Sequence, residues 1–326
     1  MRAGTPLPPV EAETELPLEN LRRFLQSPAE QFLRQRMGMR LAEVEKAGED
    51  IEPLRAPGAG LERNRLQHAV FDAFLAGERR DAMLERLRAQ ALLPSGALGA
   101  RALSDMLDEV APYAELFARW RGSAMPLEPM PLEATIDGVR VHGRLGGVWP
   151  MGIARVRFGE PNGPSVIRNG LDWLLASADG QTLPMFEFHL DEDKHIGPHE
   201  RRSIDPAQAK DALRKLIALR AAGLREPLAF APRSGWKYYT ALDAERGIEA
   251  ARKQWQGSDR QWGEATGPAY DVALRARDPF TSRTALREFV ANTLTVFSAV
   301  GSGIAIAPEL DEDAIANATL ARDEDE

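Results

Sequence analysis

Two consecutive predicted strands carry glycine and arginine at positions where a metal site that cleaves phosphodiesters would need carboxylates. The first strand, 139–145, runs into Gly146, and the second contains Arg155 and Arg157 in the run RVRFG. Such sites hold Mg²⁺ with an acid on one strand and an acid-x-Lys on the next, because hard cations prefer carboxylate oxygens. The two strands therefore predict a nuclease framework without its catalytic groups.

The lysine of this chemistry is missing as well. No lysine occurs between Lys46 and Lys194, and arginine is a poor substitute because its guanidinium stays charged and cannot exchange a proton. Because these strands lack the acids and the lysine of the PD-(D/E)xK nuclease pattern, we assign no catalytic residue. The vacant motif positions are Gly146, Arg155 and Arg157.

Other catalytic chemistry has little support in the sequence. No glycine is followed directly by lysine, which excludes a P-loop. Histidines and acids cluster over 189–199, but Gly197-Pro198 keeps the last two histidines from sharing a helical face, so we expect a polar loop, no metal and no cofactor. The alternative is a catalytically active nuclease that uses other acids, and its candidate acids are Glu133, Asp137 and Glu160.

The 326 residues suffice for one large domain or two modest ones. There is no cysteine, which excludes disulfides and thiolate metal sites. No window approaches the roughly 18 unbroken apolar residues of a membrane span, and the acidic N-terminus lacks the apolar core of a secretory signal. We expect a cytoplasmic protein that does not contact a membrane.

The net charge of −8 is concentrated at the C-terminus. Eight acids and one arginine lie between Glu309 and Glu326, which leaves 41 acids and 40 bases in the rest of the chain. A nearly neutral body can still carry a basic groove, so nucleic acid is not excluded as a partner. Arginine outnumbers lysine 35 to 6, which suits phosphate contacts but would also follow from a GC-rich genome.

The segment 233–262 interleaves cations with aromatic residues, a pattern that could follow phosphates and stack on bases. The DNA-contact candidates are Arg233, Trp236, Lys237, Arg252, Lys253 and Arg260. The alternative is that the aromatic residues anchor the core or a subunit interface, which Trp, Tyr and Arg also favour. Among the cations, Arg252-Lys253 on a solvent-facing helix is the best phosphate candidate.

Helical periodicity dominates the first part of the chain. Apolar residues recur at helical spacing over 18–37, 63–75, 81–92 and 100–120. Ser27-Pro28 predicts a break in the first of these helices, and Pro112 predicts a kink or boundary in the last. We expect residues 16–125 to form a helical layer behind a disordered, acidic and Pro-rich lead over 1–15.

The pattern changes to strands from residue 126 onward. Strands are predicted over 132–136, 139–145, 153–158 and 185–190, and helices over 166–178 and 206–222. Asp137-Gly138 is a two-residue hairpin signal between the first two strands. We therefore expect an α/β fold, with a mixed sheet and flanking helices over 126–300 and a solvated acidic tail over 308–326.

Several pieces of the chain, in order, resemble the C-terminal region of RecC, the gamma subunit of exodeoxyribonuclease V. The strands read VRVHGRLGGVWPMGIARVRFG, and LRRFLQSPAEQFLRQRMGM resembles the helix that opens this region. The further pieces are 60–77, 168–178, 224–234 and 250–276, the last followed by Arg277-Asp278-Pro279. Each piece alone is weak, but their order over roughly residues 18–297 is specific.

The resemblance implies a non-catalytic subunit of a helicase–nuclease that processes double-strand breaks for recombination. It implies a degenerate PD-(D/E)xK nuclease-like core that helps to split the duplex and docks partner helicases. The implied partners are RecB-type and RecD-type subunits and forked, single-stranded or duplex DNA. The family's front part, which scans single strands, is not matched, so its residues carry over to no position here. A pure protein–protein scaffold is the second alternative.

Overall fold

The computed structural model describes residues 6–10, 13–41, 57–58, 60–258, 262–274 and 278–320. In these ranges the chain is mixed α/β, with twelve α-helices and two small mixed sheets. Helices α1 (Leu18–Gln26) and α2 (Pro28–Arg36) are separated at Ser27, which confirms the break predicted at Ser27-Pro28. Pro28 starts α2 because the first turn of a helix leaves its N–H unpaired in any case.

Three longer helices complete the N-terminal layer: α3 (Gly60–Leu75), α4 (Arg80–Ala89) and α5 (Gly96–Arg121). Their buried faces meet around Leu66, Val70, Leu103 and Val110. Helix α5 continues through Pro112, so the boundary predicted there is wrong. Pro112 and Asp108 are both exposed, and water can therefore bind the carbonyl that the missing N–H leaves unpaired.

The first sheet contains β1 (Glu15–Pro17), β2 (Met130–Ile136) and β3 (Val139–Leu145) in the order β1-β3-β2. Strand β1 is parallel to β3, and β2 is antiparallel to it. The predicted hairpin at Asp137-Gly138 is confirmed, with positive φ angles of 48° and 85° at its two residues.

The second sheet contains β4 (Val148–Trp149), β5 (Gly152–Val156), β6 (Met185–Phe188) and β7 (His199–Arg201) in chain order. The prediction of one mixed sheet is therefore wrong, and β5 pairs with β4 and β6 rather than with β3. The chain leaves the first sheet at Gly147, whose φ of +65° breaks the extended course of the strand.

Helix α6 (Gly163–Ala178) lies at the centre of the α/β part. Nearly all its residues are buried, on every side, as expected for a helix enclosed by other elements. Asn162 and Ser165 form a capping box at its start. The helices that follow are α7 (Pro206–Gly223), α8 (Pro232–Tyr239), α9 (Ala244–Gln256), α10 (Pro268–Leu274), α11 (Arg283–Ser302) and α12 (Glu312–Asn317).

The described residues near each end of the chain make contacts that their composition does not predict. In the lead, Val10 packs against the core, Glu13 pairs with Arg220 at 2.7 Å, and Glu15 begins β1. In the tail, Asp311 caps α12, and Ile315 is 4% exposed against the C-terminal core. The disordered lead over 1–15 and the solvated acidic tail over 308–326 stay predictions for the chain as a whole, while these described residues are held by contacts with distant elements.

No helix in the described ranges combines the length and the apolar composition that crossing a bilayer would require.

Candidate nucleic-acid interface

Arg155 lies where the sequence predicts a vacant carboxylate position. Its Nη1 donates to the carbonyl oxygen of Gly146 at 2.9 Å, and its Nη2 donates to Asp172 Oδ2 at 2.8 Å. Two of the three vacant motif positions therefore contact each other, although Gly146 follows β3 of the first sheet and Arg155 lies in β5 of the second. A guanidinium, which is a fixed cation, fills the space between the Gly146 carbonyl and a carboxylate of α6.

Asp172 joins three elements of the fold. Its Oδ1 accepts a hydrogen bond from Arg22 of α1 at 2.5 Å while Oδ2 accepts from Arg155 of β5. The residue is only 8% exposed, so each of these bonds is shielded from water. Sequence reasoning missed Asp172, although a lone acid inside the apolar run GLDWLLASA was a usable signal.

Glu187 forms a second buried acid–arginine contact, on β6. It accepts from Arg201 Nη2 at 2.9 Å and from Asn169 Nδ2 at 2.8 Å, and Arg201 also lies 5.1 Å from the ring centroid of Trp173. Sequence reasoning missed this acid as well, in the otherwise apolar strand MFEF. The charges buried between α6 and the second sheet are therefore paired with each other.

A different arrangement surrounds Arg157, the third vacant motif position. Arg157, Arg168 and Arg233 line one open cleft of about 630 Å³ between α3, the end of β5, α6 and α8, which we call the arginine cleft. Arg157 Nε donates to the carbonyl oxygen of Glu160 at 2.6 Å. The side chains of Arg168 and Arg233 make no hydrogen bond or ion pair within the described ranges.

The guanidinium groups of the arginine cleft repel one another. Burial, followed by repulsion from Arg168 and Arg233, lowers the pKa of Arg157. Burial, followed by repulsion from Arg155 and Arg22, lowers the pKa of Arg168. Both groups stay charged at neutral pH, because a guanidinium does not lose its proton in a protein. The cleft therefore concentrates positive charge.

The acid that lines the cleft, Glu109, already has partners within the protein. Glu109 pairs with Arg63 and accepts from Gln67 Nε2 at 2.7 Å. His68, which also lines the cleft, has its pKa lowered by burial, so it stays neutral at pH 7. Arg63 and Glu109 both line the cleft and neutralise each other, so its unpaired positive charge comes from Arg157, Arg168 and Arg233.

The family model of the RecC C-terminal domain matches residues 13–243, which is most of the chain. The chain belongs to this family. The RecC subunit of the RecBCD enzyme of Escherichia coli (strain K12) is 26% identical over 245 residues, which are 74% of this chain and 21% of that protein. The chain thus spans about a fifth of the length of this curated RecC relative.

In this RecC-family domain, the DNA-contact candidates that the structure describes lie on two helices. Arg233, Trp236 and Lys237 are on α8, where Trp236 is half-buried and packs 5.2 Å from the ring of Phe297. Arg233 and Lys237 are exposed. Of these candidates, the structure brings only Arg233 into the arginine cleft. It lies there beside Arg157, which the sequence marked as a vacant motif position, and Arg168, which sequence reasoning missed.

The candidates on α9 are surrounded by acids. Lys253 pairs with Glu249 at 2.5 Å, and Arg252 lines a hollow together with Glu245 and Glu249. Arg260 lies outside the described residues. Trp255 is buried and donates to Asp278 at 2.9 Å. The structure therefore does not bring the α8 and α9 candidates together in one described site.

The acids of the alternative nuclease reading lie in separate ion pairs. Glu133 pairs with Arg140 at 3.1 Å, Asp137 pairs with Arg214 at 2.8 Å, and Glu160 pairs with Lys194. In the 189–199 loop, the rings of His189 and His199 stack with centroids 4.3 Å apart. Among the residues that the structure describes, no group of three or more histidines and acids is placed to hold a metal ion.

Proposed function

We propose that this chain is a non-catalytic, DNA-handling domain of a RecC-type subunit, with a degenerate PD-(D/E)xK nuclease-like core. The observation that carries the proposal is the Arg155 guanidinium between Gly146 and Asp172. A nuclease metal site needs two or more carboxylates to face one cation. Here a cation of the protein itself is bound to the carboxylate, and it would repel Mg²⁺.

The proposed role is to guide and split duplex DNA and to dock RecB-type and RecD-type helicase subunits during double-strand-break repair in the cytoplasm. Support for the DNA part comes from the positive charge of the arginine cleft, with Arg233 as the leading candidate of the α8 and α9 set. Support for the partner subunits comes from membership of the RecC C-terminal family.

Two measurements test the proposal. In a cleavage assay with a titration of Mg²⁺ or Mn²⁺, the purified chain is expected to leave single-stranded and duplex DNA intact. Metal-dependent cleavage that copurifies with the chain through a further chromatography step, and that substitution of exposed Glu160 by Gln abolishes, would show an active nuclease.

The second measurement is binding to forked DNA over a salt series. Neutralisation of phosphates releases counterions, so affinity is expected to fall steeply and linearly in log–log form as salt rises. Affinity that is flat or absent at low salt would support a protein–protein scaffold instead. Reconstitution with RecB-type and RecD-type subunits then tests docking, which is expected to be independent of the added DNA.

A further inference from the structure

We propose that the arginine cleft binds a phosphodiester group of a single nucleic-acid strand through Arg157, Arg168 and Arg233. This inference rests on the proposed DNA-handling function and names the contact site for it. The vacated nuclease position would then still meet the chemical group that a nuclease cleaves, while it holds that group with guanidiniums instead of a metal.

The first argument is the unbalanced charge. Arg157 has one backbone acceptor, and the side chains of Arg168 and Arg233 have no hydrogen-bond partner within the described ranges. Burial, followed by repulsion from Arg168 and Arg233, lowers the pKa of Arg157. An anion bound between them would relieve this repulsion and accept charge-assisted hydrogen bonds, which are about twice as strong as neutral ones.

The second argument is that the backbone carrying Arg233 is fixed against α6, the helix that carries Arg168. Gly163 of α6 lies so close to α8 that a Cβ there would come within 1.8 Å of the Pro232 carbonyl oxygen. Buried Glu264 then accepts the backbone N–H groups of Arg233 and Ser234 at 3.0 and 2.6 Å. The start of α8, and with it Arg233, is thus held against α6, so less ordering is needed on binding.

The third argument concerns the size and lining of the cleft. A volume of about 630 Å³ matches sites for small molecules and admits one or two nucleotides rather than a duplex. The neutral ring of His68 lines the same cleft, 5.1 Å from the ring of Phe158. An aromatic surface beside guanidiniums is the combination that single-strand sites use for a base and its phosphate.

The amino end of α6 does not supply the site. The Asn162 side chain accepts the N–H of Ser165 at 3.0 Å, and the Asn162 carbonyl oxygen accepts the N–H of Val166 at 3.0 Å. Recognition of the phosphate therefore falls to the arginine side chains, and substitutions of single arginines can test it.

A second hollow of the same volume provides the control. It lies along β3 and α1 and includes Arg22, Arg140 and Arg144. Arg140 there is bound to Glu15 at 2.7 Å and to Glu133 at 3.1 Å. Removal of the Arg140 charge changes the net charge as much as removal of Arg157, but at a position where carboxylates already neutralise it.

The experiment measures the affinity of the full chain for a fluorescein-labelled twelve-nucleotide oligo-dT by anisotropy over a salt series. Arg157→Gln and Arg168→Gln are each expected to weaken binding about tenfold, the effect of one lost charged hydrogen bond. Each is also expected to reduce the salt slope by about 0.7. Arg140→Gln is expected to change affinity less than twofold, and Arg157→Lys to recover part of the loss.

The outcomes separate this inference from the proposed function. If the wild-type chain binds the oligonucleotide and both glutamine variants bind equally well, the cleft assignment is overturned while DNA handling stands. If the wild-type chain binds no DNA at low salt, both are overturned. If inorganic phosphate or an acidic peptide binds in an Arg168-dependent way and the oligonucleotide does not, the nucleic-acid assignment is wrong. Should Arg157→Gln unfold the chain, Arg168→Gln carries the test alone.

Discussion

Arg155 lies in β5 and Arg157 follows directly after the end of that strand, yet the two arginines lie in opposite electrostatic surroundings. Arg155 has the Gly146 carbonyl oxygen and the Asp172 carboxylate as partners. Arg157 has one backbone carbonyl and faces two other arginines. The difference lies in the facing helices, because α6 offers an acid to the first arginine while α6 and α8 offer further cations to the second. The same residue type is structural at one position and available to a ligand at the other.

Among the substitutions that test this comparison, Asp172→Asn is expected to have the largest effect on the free energy of unfolding. Two largely buried guanidiniums, Arg22 and Arg155, would lose their shared carboxylate. Removal of one partner from a buried ion pair costs about 3–5 kcal/mol of the free energy of unfolding. Urea denaturation measures this, with Asp137→Asn as the control.

Asp137 pairs with Arg214 at the exposed hairpin, where the loss should stay below about 1 kcal/mol. Equal losses in the two variants would show that the Asp172 contact is no stronger than a surface pair.

The second prediction is that Arg155 contributes more to the stability of the fold than Arg157 does. Arg155→Gln is expected to lower the free energy of unfolding by about 2 kcal/mol, since it leaves buried Asp172 with one partner fewer. Arg157→Gln is expected to change it by less than about 0.5 kcal/mol. Thermal unfolding followed by circular dichroism checks both, and a larger loss for Arg157→Gln would reverse our assignment of the two roles.

The comparison also shows what the sequence could and could not predict. The helix break at Ser27-Pro28 and the hairpin at Asp137-Gly138 are local in the chain, and both are confirmed. Gly146 and Arg155 were named as vacant motif positions from residue types alone, and that assignment stays a prediction. Asp172 was missed because its partners, Arg155 and Arg22, lie 17 and 150 residues away in the chain. The two-sheet arrangement and strand β1 likewise depend on distant pairing that composition does not reveal.

The third prediction concerns the frame of the arginine cleft. Gly163→Ala would place a Cβ against the Pro232 carbonyl oxygen, and overpacking of this kind costs about 1–3 kcal/mol. It should also displace Arg233 and so weaken oligonucleotide binding. Gly146→Ala is the matched control, because a Cβ there meets no atom within 4 Å. Unchanged stability and binding in Gly163→Ala would show that α8 is not fixed by this contact.

The smallest predicted effect is the pH dependence from Glu264. Burial raises the pKa of this carboxyl above 4.5, and hydrogen bonds from Ser234 and Arg233 offset part of the change. The protonated carboxyl therefore contributes all of its stabilisation below its pKa in the unfolded chain. This stabilisation is lost as pH rises through the pKa of the carboxyl in the folded chain. Burial and the charge of Glu264 raise the pKa of neighbouring Tyr270, which stays protonated over this range.

The measurement compares the wild-type chain with Glu264→Gln. The wild-type free energy of unfolding, relative to that of the variant, is expected to fall as pH rises from about 4 toward 7, with the sign given by proton linkage. A relative free energy that rises over this interval would show that the folded protein favours the ionised carboxylate.

The bond between Arg22 and Asp172 closes a loop of 150 residues. Closure of so long a loop costs chain entropy before the contact forms, so this bond belongs to the late steps of folding. Loss of this bond is therefore expected to raise the unfolding rate and to leave the folding rate nearly unchanged. The contact between α1 and α6 would thereby set how long the folded domain persists.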